Sequence, residues 1–299
     1  MDAVSRLLRS AHIEGTLGLR CRTAGQFTLD RAAPGPGHAP FLLVVEGRCT
    51  VSTCASTVDL GPGDLLLLPH GDAHQVCVAT GPRRPFVEEV GPVFTTRRSV
   101  GVEPELDLYL GHYRVNSATG TLLFRTLPPL VHVTLGVSGA GLADVLRGGA
   151  RFDRLGTESL VRFLFDALLD IALRSRPEQR LDTPALWTAV GDDTLGKVIA
   201  GIVERPGEPW TIERMATAAS MSRATFLRRF TARTGTTVAS LLTTIRMMAA
   251  ADLLTRSDHS VSHIARQVGY SSESAFAQAF RAAVGTQPAR FRKEVGARR

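Results

Sequence analysis

Apolar residues follow two different periods along this chain. In the first half, short apolar runs at residues 41–45, 65–68 and 75–78 are separated by Gly, Pro and Asp. Short apolar runs bounded by turn residues predict β-strands. From about residue 157, apolar residues recur at intervals of three and four, which places them on one face of a helix. The pattern predicts a β-rich N-terminal region followed by a helical C-terminal region.

The helical region contains one pattern twice. The segment at residues 221–235 recurs at 270–285, so that Phe226 corresponds to Phe276 fifty residues later, and Phe230 to Phe280. Because the two phenylalanines of each copy are four residues apart, they lie on the same helix face. Each copy predicts a helix, a tight turn and a second helix. A helix-turn-helix built twice in one chain is typical of a protein that reads two stretches of DNA.

Cap residues mark the ends of these predicted helices. The pattern predicts a helix over residues 194–205, and Thr211 and Ser222 can cap the next two helices. The second copy starts at Ser260, and its second helix ends before Gly285. A long helix joins the two copies and carries one apolar stripe: Leu241, Ile245, Met248, Ala249 and Leu253.

Positive charge is concentrated in the same region. Residues 195–299 hold 16 Lys and Arg against 7 Asp and Glu, a net charge of +9, whereas the first 194 residues carry −2. A basic domain attached to a near-neutral one indicates a polyanion-binding function. The alternative is a packed helical bundle whose arginines are only solvated, which leaves the duplication without a purpose.

Residues typical of one protein family occur in nearly every predicted helix. They lie in two long segments: WTIERMATAASMSRATFLRRFTARTGTT (210–237) and IARQVGYSSESAFAQAFRAAVGTQPARFR (264–292). Together with the joining helix they cover roughly residues 194–293. They resemble the DNA-binding domain of the AraC/XylS family of bacterial transcription regulators. The resemblance implies two recognition helices that enter successive major grooves of double-stranded DNA.

The resemblance also implies which side chains meet the DNA. Arg228 is placed to pair with guanine and Gln278 with adenine. The base-facing residues would be Ala224, Thr225, Leu227 and Arg228 in the first copy, and Glu273, Ser274, Ala275 and Gln278 in the second. The phosphate contacts would be Arg223, Arg229, Arg233, Arg281, Arg290 and Lys293.

Histidines in the N-terminal region raise the question of a metal site. Residues 59–76, DLGPGDLLLLPHGDAHQV, resemble the second motif of the cupin fold, and residues 38–51 resemble the first. Metal-dependent cupins combine two His and a Glu from the first motif with a His from the second. Here Glu46 directly precedes a turn glycine and is poorly placed as a ligand. We expect no metal and no cofactor, and we keep three histidines as candidates for sensing an effector: His38, His70 and His74.

Cysteines offer a second sensing chemistry. The whole layout resembles a subgroup of these regulators with a compact N-terminal cupin, which includes a sensor of reactive chlorine species that works through cysteine oxidation. Cys21 lies where such a redox cysteine is expected, and the flanking Arg20 and Arg22 would favour its thiolate. Leu110 stands where relatives often have cysteine. The other candidates are Cys49, Cys54 and Cys77, and the alternative is that the thiols are small apolar residues of the barrel.

Residues 157–174 predict a helix that is apolar on two faces. Such a helix is buried on both. One face can cover the barrel and the other can contact a second subunit, and the family resemblance implies a dimer as well. The alternative is a helix buried within one subunit. The residues predicted to form the homodimer contact are Leu160, Phe163, Leu164 and Leu168.

The sequence predicts an α+β protein, with an N-terminal cupin-like antiparallel β-barrel followed by an all-α domain with two helix-turn-helix motifs. Residues 1–154 would form the sensing domain, 155–193 the dimerisation helix and linker, and 194–299 the DNA-binding domain. No stretch reaches the roughly 18 apolar residues of a membrane span, and the N-terminus does not resemble a secretory signal. We therefore expect a cytoplasmic protein with no membrane partner.

The predicted function is transcription regulation by a homodimer that binds double-stranded DNA, under the control of a small effector or an oxidant. An activator would also contact RNA polymerase. We expect no catalytic residues. Two alternatives remain open at this point: a metal-dependent cupin dioxygenase or isomerase with a basic appendage, and a metabolite-binding module whose partner is not DNA.

Overall fold

The computed structural model describes residues 11, 13–35, 37–115, 118–135, 157–174, 189 and 192–296. The chain divides into two compact units. The barrel unit comprises Ile13–Val115 and Pro129–Arg180, and the helical unit comprises Met1–His12, Asn116–Pro128 and Leu181–Arg299. Of the predicted dimerisation helix and linker, residues 155–193, positions 155–156, 175–188 and 190–191 lie outside the described residues.

The barrel unit contains the β-strands that the apolar runs predict. The runs at residues 41–45, 65–68 and 75–78 fall on the third, sixth and seventh strands. The described strands are β1 (Ile13–Thr23), β2 (Phe27–Arg31), β3 (His38–Glu46), β4 (Cys49–Thr53), β5 (Thr57–Leu60), β6 (Asp64–Leu67), β7 (His74–Val78), β8 (Phe86–Val90), β9 (Thr95–Ser99), β10 (Leu106–Val115) and β11 (Val131–Thr134).

These strands form two sheets around one core. The larger sheet has the order β11-β6-β3-β10-β1-β9-β8, and the smaller has the order β2-β7-β4-β5. Paired strands are antiparallel except for β1 and β9, which run parallel, a feature that the sequence prediction did not include. Side chains alternate along each strand, so apolar residues of both sheets meet inside. This interior is filled by leucine, valine, phenylalanine and cysteine side chains.

One buried ion pair lies in the larger sheet. Arg20 of β1 donates from Nε to Oδ1 of Asp107 at 2.9 Å and from Nη2 to Oδ2 at 2.7 Å. Both residues are buried, and the Arg20 guanidinium also lies 4.9 Å from the ring centroid of Tyr109. A two-point pair of this kind satisfies both charges at once. It therefore locks β1 to β10 within the sheet.

The predicted helix at residues 157–174 is present as α2 (Thr157–Arg174), and it packs on β1 and β11. The packing is close: a Cβ added at Gly15 would lie 2.7 Å from Cβ of Phe165. The hydroxyl of Tyr113 donates to the Phe165 carbonyl at 2.7 Å. Leu168, predicted at the dimer contact, is completely buried in this face instead. That prediction was wrong because Leu168 follows Phe165 at helical spacing on the side facing the barrel.

The helical unit contains the duplicated pattern. The first of its described helices with given bounds precedes α2 in the chain and is α1 (Ala118–Arg125). The other described helices are α3 (Leu195–Glu204), α4 (Ile212–Ala218), α5 (Arg223–Thr234), α6 (Val238–Arg256), α7 (Val261–Gln267), α8 (Glu273–Val284) and α9 (Pro288–Gly296). Strands followed by helices confirm the predicted α+β class.

The predicted caps of the duplicated motif are confirmed. The Thr211 side chain accepts a hydrogen bond from the Arg214 amide, and that of Ser222 accepts one from the Thr225 amide. Ser260 caps the second copy in the same way. Such caps satisfy amide groups that have no partner inside the helix. They therefore fix where each helix of the motif begins.

Helix α6 is the centre of the helical unit. It packs against α1, α3, α5, α7, α8 and α9. Of the predicted stripe, Ala249 and Leu253 are only half-buried, while Met247, Ala250, Ala251 and Leu254 on the other sides are buried. Among the described helices, only α6 is long and apolar enough to cross a membrane. Its apolar residues are covered by neighbouring helices, as expected for a core helix.

Helix α1 comes from the middle of the predicted cupin-like region. The chain runs from β10 of the barrel unit into α1 and returns to β11. Even so, α1 packs against α6 and α8 within the helical unit. Its buried side chains are Leu122, Leu123 and Phe124, followed by Leu127.

Candidate nucleic-acid interface and sensing residues

Helices α5 and α8, which the resemblance predicts to be the recognition helices, are held by matching phenylalanine pairs. The rings of Phe226 and Phe230 have centroids 5.6 Å apart, and those of Phe276 and Phe280 are 5.7 Å apart. All four rings are completely buried. Because one side of each helix is anchored in the core, the opposite side is presented to solvent.

The residues assigned to base contacts lie away from these phenylalanines. Leu227 is half-buried, so it has less reach than its neighbours. Ser274 is engaged locally, since its hydroxyl lies 2.7 Å from that of the cap residue Ser272. The exposed members of the set are Ala224, Thr225 and Arg228 on α5, and Glu273, Ser274, Ala275 and Gln278 on α8.

The residues assigned to phosphate contacts differ in whether they form ion pairs within the protein. Nη2 of Arg229 lies 2.8 Å from Oδ2 of Asp192, and Nη1 of Arg223 lies 2.8 Å from Oε1 of Glu213. Arg281 makes no ion pair with any residue that the structure describes, and Arg233 and Lys293 are exposed. Arg290 pairs with Glu294 on its own helix at 2.8 Å.

Arg229 also makes a contact inside the protein that the sequence did not predict. Oδ1 of Asp192 also accepts hydrogen bonds from the amides of Thr194 and Leu195 at the start of α3. Burial opposes ionisation of Asp192, but these amides and Arg229 outweigh it and lower the pKa of the carboxyl group. Arg229 therefore connects α5 to the start of α3, and its phosphate contact stays a prediction.

Comparison with known proteins agrees with this arrangement. Residues 2–176 match a family model described as cupin, and residues 215–294 match one described as a helix-turn-helix domain. An uncharacterized HTH-type transcriptional regulator of Haemophilus influenzae is 28% identical over 99% of both chains. The RCS-specific HTH-type transcriptional activator RclR of Escherichia coli is 28% identical over 99% of this chain and 98% of its own. The chain is an AraC-family transcription regulator with an N-terminal cupin domain.

A solved structure resembles the helical part of this regulator. The DNA-binding domain of AdpA, crystallised with a target DNA, is 39% identical, covers 36% of this chain and 96% of its own, and superposes with a TM-score of 0.35. The named relatives are regulators of transcription, so the enzyme alternative is rejected for this AraC-family chain.

The three candidate histidines of the regulator do not converge on one point. His74 is buried and its Nδ1 lies 3.1 Å from the Asp72 carbonyl oxygen. Burial lowers the pKa of His74. His38 instead contacts His112, with ring centroids 5.0 Å apart, and His70 is exposed. Within the described part of the chain, no three His, Cys, Asp or Glu side chains are grouped to hold a metal ion.

Sequence reasoning missed His112. Its position opposite Pro40, two residues from His38, follows from the antiparallel pairing of β10 with β3. That pairing spans some seventy residues of sequence, so no local pattern indicates it. Burial, together with the positive charges of His38, Arg114 and Arg31, lowers the pKa of His112. His38 and His112 are therefore neighbours near one end of the barrel.

The cysteines of the regulator differ sharply in exposure. Cys21 and Cys49 are buried in the barrel core, and burial raises the pKa of each thiol to about 12. The expected activation of Cys21 by Arg20 and Arg22 was wrong, because Arg20 is paired with Asp107 while Cys21 lies in the apolar interior. Cys54 is exposed and Cys77 is partly exposed.

Proposed function

We propose that residues 194–299 read two successive major grooves of double-stranded DNA, with α5 in one groove and α8 in the next. The observation that carries this proposal is the repeated design of the two helices. Each has a buried phenylalanine pair on one side and exposed polar or short side chains on the other. Successive major grooves on one face of DNA are about 34 Å apart, so the operator would contain two blocks separated by one helical turn.

Base recognition would rest mainly on one long side chain in each helix. Arg228 can donate two hydrogen bonds to guanine, and Gln278 can form a matched pair with adenine. The neighbours Ala224 and Ala275 are short, which lets the helices approach the base edges. Arg281 is better suited to a phosphate, since it lies in the last turn of α8, away from the N-terminal turns that carry most of the base-facing residues.

Arg228→Ala tests this assignment against Arg281→Ala. Operator sequences would first be selected from random genomic fragments with the unaltered protein. Arg228→Ala should then weaken operator binding by about 1–3 kcal/mol and relax one base preference. Arg281→Ala should weaken operator and random DNA alike and lower the salt slope by about one unit. Gel shifts at two salt concentrations measure both effects.

The two variants are matched because each removes one exposed arginine from a recognition helix. Equal losses on operator and random DNA for Arg228→Ala would contradict its role in base recognition. Recovery of no shared two-block motif by the unaltered protein would contradict the reading of two grooves.

We infer that the regulator is a homodimer joined through the outer face of α2. Phe163 is 69% exposed on this face, and Leu164 beside it is half-buried. An exposed phenylalanine on a helix whose other side is already packed supports a contact with a second subunit. Leu160 lies one turn earlier in the sequence, and its side chain is outside those described.

Phe163→Ser should shift the protein from dimer to monomer, because it removes a large apolar side chain from the proposed contact. Sedimentation velocity at micromolar concentration measures the shift. Phe86→Ser is the matched control, since Phe86 is 51% exposed on β8 and lies outside the proposed contact. A Phe163→Ser protein that sediments like the unaltered protein would refute the interface.

A bound effector suits the barrel better than thiol oxidation as the controlling signal. Oxidation requires an accessible thiolate. Cys21, the expected redox cysteine, and Cys49 are buried thiols with raised pKa values, so among the described cysteines an oxidant could reach only Cys54 and Cys77. We propose that a small molecule binds the barrel unit and changes DNA binding by the helical unit. The regulator would act in the cytoplasm, and as an activator it would contact RNA polymerase.

A further inference from the structure

The barrel unit has a cavity of about 460 Å³ at one end. Thr23 at the end of β1, Val78 at the end of β7 and Leu106 at the start of β10 contribute to its wall. His74 lies at the other end of β7 and His112 toward the other end of β10, so these histidines are at the opposite end of the barrel. Cavities of this size are typical of small-molecule sites.

Within the barrel unit, the room for a ligand lies at an end of the barrel. The interior is filled by side chains of both sheets, including Cys21, Leu42, Val51, Val76 and Leu108. Close packing leaves no room among such residues for a further molecule. The cavity begins where this apolar core stops.

Opposite charges line the cavity. Arg48 is exposed and makes no ion pair or hydrogen bond with any residue that the structure describes. Glu105 accepts a hydrogen bond from the Gly25 amide through Oε2 at 3.0 Å, which holds its carboxylate in place. Gly47 draws the two loops together, because a Cβ there would lie only 2.0 Å from the Glu105 carbonyl oxygen. The cation and the anion thus lie on two loops that approach each other at Gly47.

The hydroxyl group of Thr23, at the wall of the cavity, is buried without a hydrogen bond. Thr23 is almost completely buried and lines the cavity, and Oγ1 has no hydrogen-bond partner among the described residues. Buried polar atoms without a partner are uncommon because they lose their hydrogen bonds to water. Val78, Pro62 and Leu106 provide apolar surface beside it.

We propose that this cavity binds a zwitterion of the amino-acid type, with its carboxylate at Arg48, its ammonium group at Glu105 and its side chain against Val78, Pro62 and Leu106. The proposal names the chemical class of the effector and in that respect rests on the function proposed above. A molecule with only one of the two charges leaves the other protein charge without a partner, so the site selects against it.

Calorimetric titration of the full chain with three matched probes tests the site. The probes are L-phenylalanine, 3-phenylpropanoate, which lacks the ammonium group, and 2-phenylethylamine, which lacks the carboxylate. L-phenylalanine should bind about tenfold or more tightly than either analogue, because each analogue forfeits a hydrogen bond between charged groups. Similar affinity for L-phenylalanine and either analogue would overturn the proposal, and so would the absence of binding by all three at millimolar concentration.

Variants separate the two charges. Arg48→Ala should weaken L-phenylalanine and 3-phenylpropanoate while leaving 2-phenylethylamine unchanged. Glu105→Gln should weaken L-phenylalanine and 2-phenylethylamine only, and it retains an acceptor for the Gly25 amide. Arg31→Ala removes an exposed arginine from the opposite end of the barrel and should change nothing. Loss of binding in Arg31→Ala, or identical behaviour of Arg48→Ala and Glu105→Gln toward the analogues, would overturn the assignment.

Gel shifts with and without L-phenylalanine distinguish failure of this site from failure of the proposed function. Binding that changes DNA affinity in the unaltered protein but not in Arg48→Ala supports both. Binding without any effect on DNA affinity supports the site and contradicts its regulatory role. Failure to select an operator contradicts the DNA-reading proposal and leaves the calorimetric result intact.

Discussion

Asp107→Ala should lower the free energy of unfolding of the barrel unit by about 3–5 kcal/mol, because it leaves the buried Arg20 guanidinium without a counter-charge. The pair is held by two hydrogen bonds of 2.9 and 2.7 Å between β1 and β10. Urea denaturation and hydrogen exchange of the β1 and β10 amides measure the loss of stability. The effect should be larger than that of any exposed ion pair in the same sheet.

Glu89→Ala is the matched control for Asp107→Ala. Glu89 pairs with Arg98 at 2.6 Å, but both side chains are about half exposed. Water screens such pairs, so its removal should cost no more than about 1 kcal/mol. Comparable losses for the two variants would mean that the Arg20 pair contributes little beyond a surface contact.

Phe280→Ala should destabilise the helical unit by about 3–5 kcal/mol, because it opens a cavity where two rings meet the Phe280 ring. Phe276 and Phe291 lie 5.7 and 5.5 Å away between ring centroids. The lower urea midpoint of the helical circular dichroism signal measures the loss. Operator binding should fail at the block read by α8, since this ring anchors the helix.

Gln278→Ala distinguishes anchoring from reading on the same helix. Gln278 is exposed, so alanine there should leave stability within about 0.5 kcal/mol while removing the adenine preference. A Phe280→Ala protein that keeps full stability would show that α8 is held by other contacts.

The helical unit could be predicted from sequence in most of its detail. Its signals are local: the phenylalanines four apart, and cap residues such as Thr211, Ser222 and Ser260 one position before each helix. Local signals of this kind depend only on neighbours within one or two turns. The apolar runs of the barrel likewise predicted strands, because strands such as β3 and β6 are buried on both faces and therefore read as short continuous apolar runs.

Long-range pairing explains what the sequence could not reveal. Whether Leu168 faces the barrel or a partner depends on how α2 is rotated on β1, and both of its faces are apolar. The neighbours of His112 and the burial of Cys21 depend on strand register across the sheet. The Arg229 pair links residues 37 apart. Each of these contacts joins residues far apart in sequence, so the periodic pattern of a helix or a strand does not predict it.

Because of helix α1, the helical unit is not encoded by one continuous segment of the chain. The chain leaves β10, contributes α1 to the helical unit and returns to β11. A gene fusion cut in the linker would therefore carry α1 away from the α6 surface that buries Leu122, Leu123 and Phe124. The fusion would expose apolar side chains on both fragments. Recombination between such regulators is thus constrained to exchange α1 and α6 together, or to keep their contact surfaces alike.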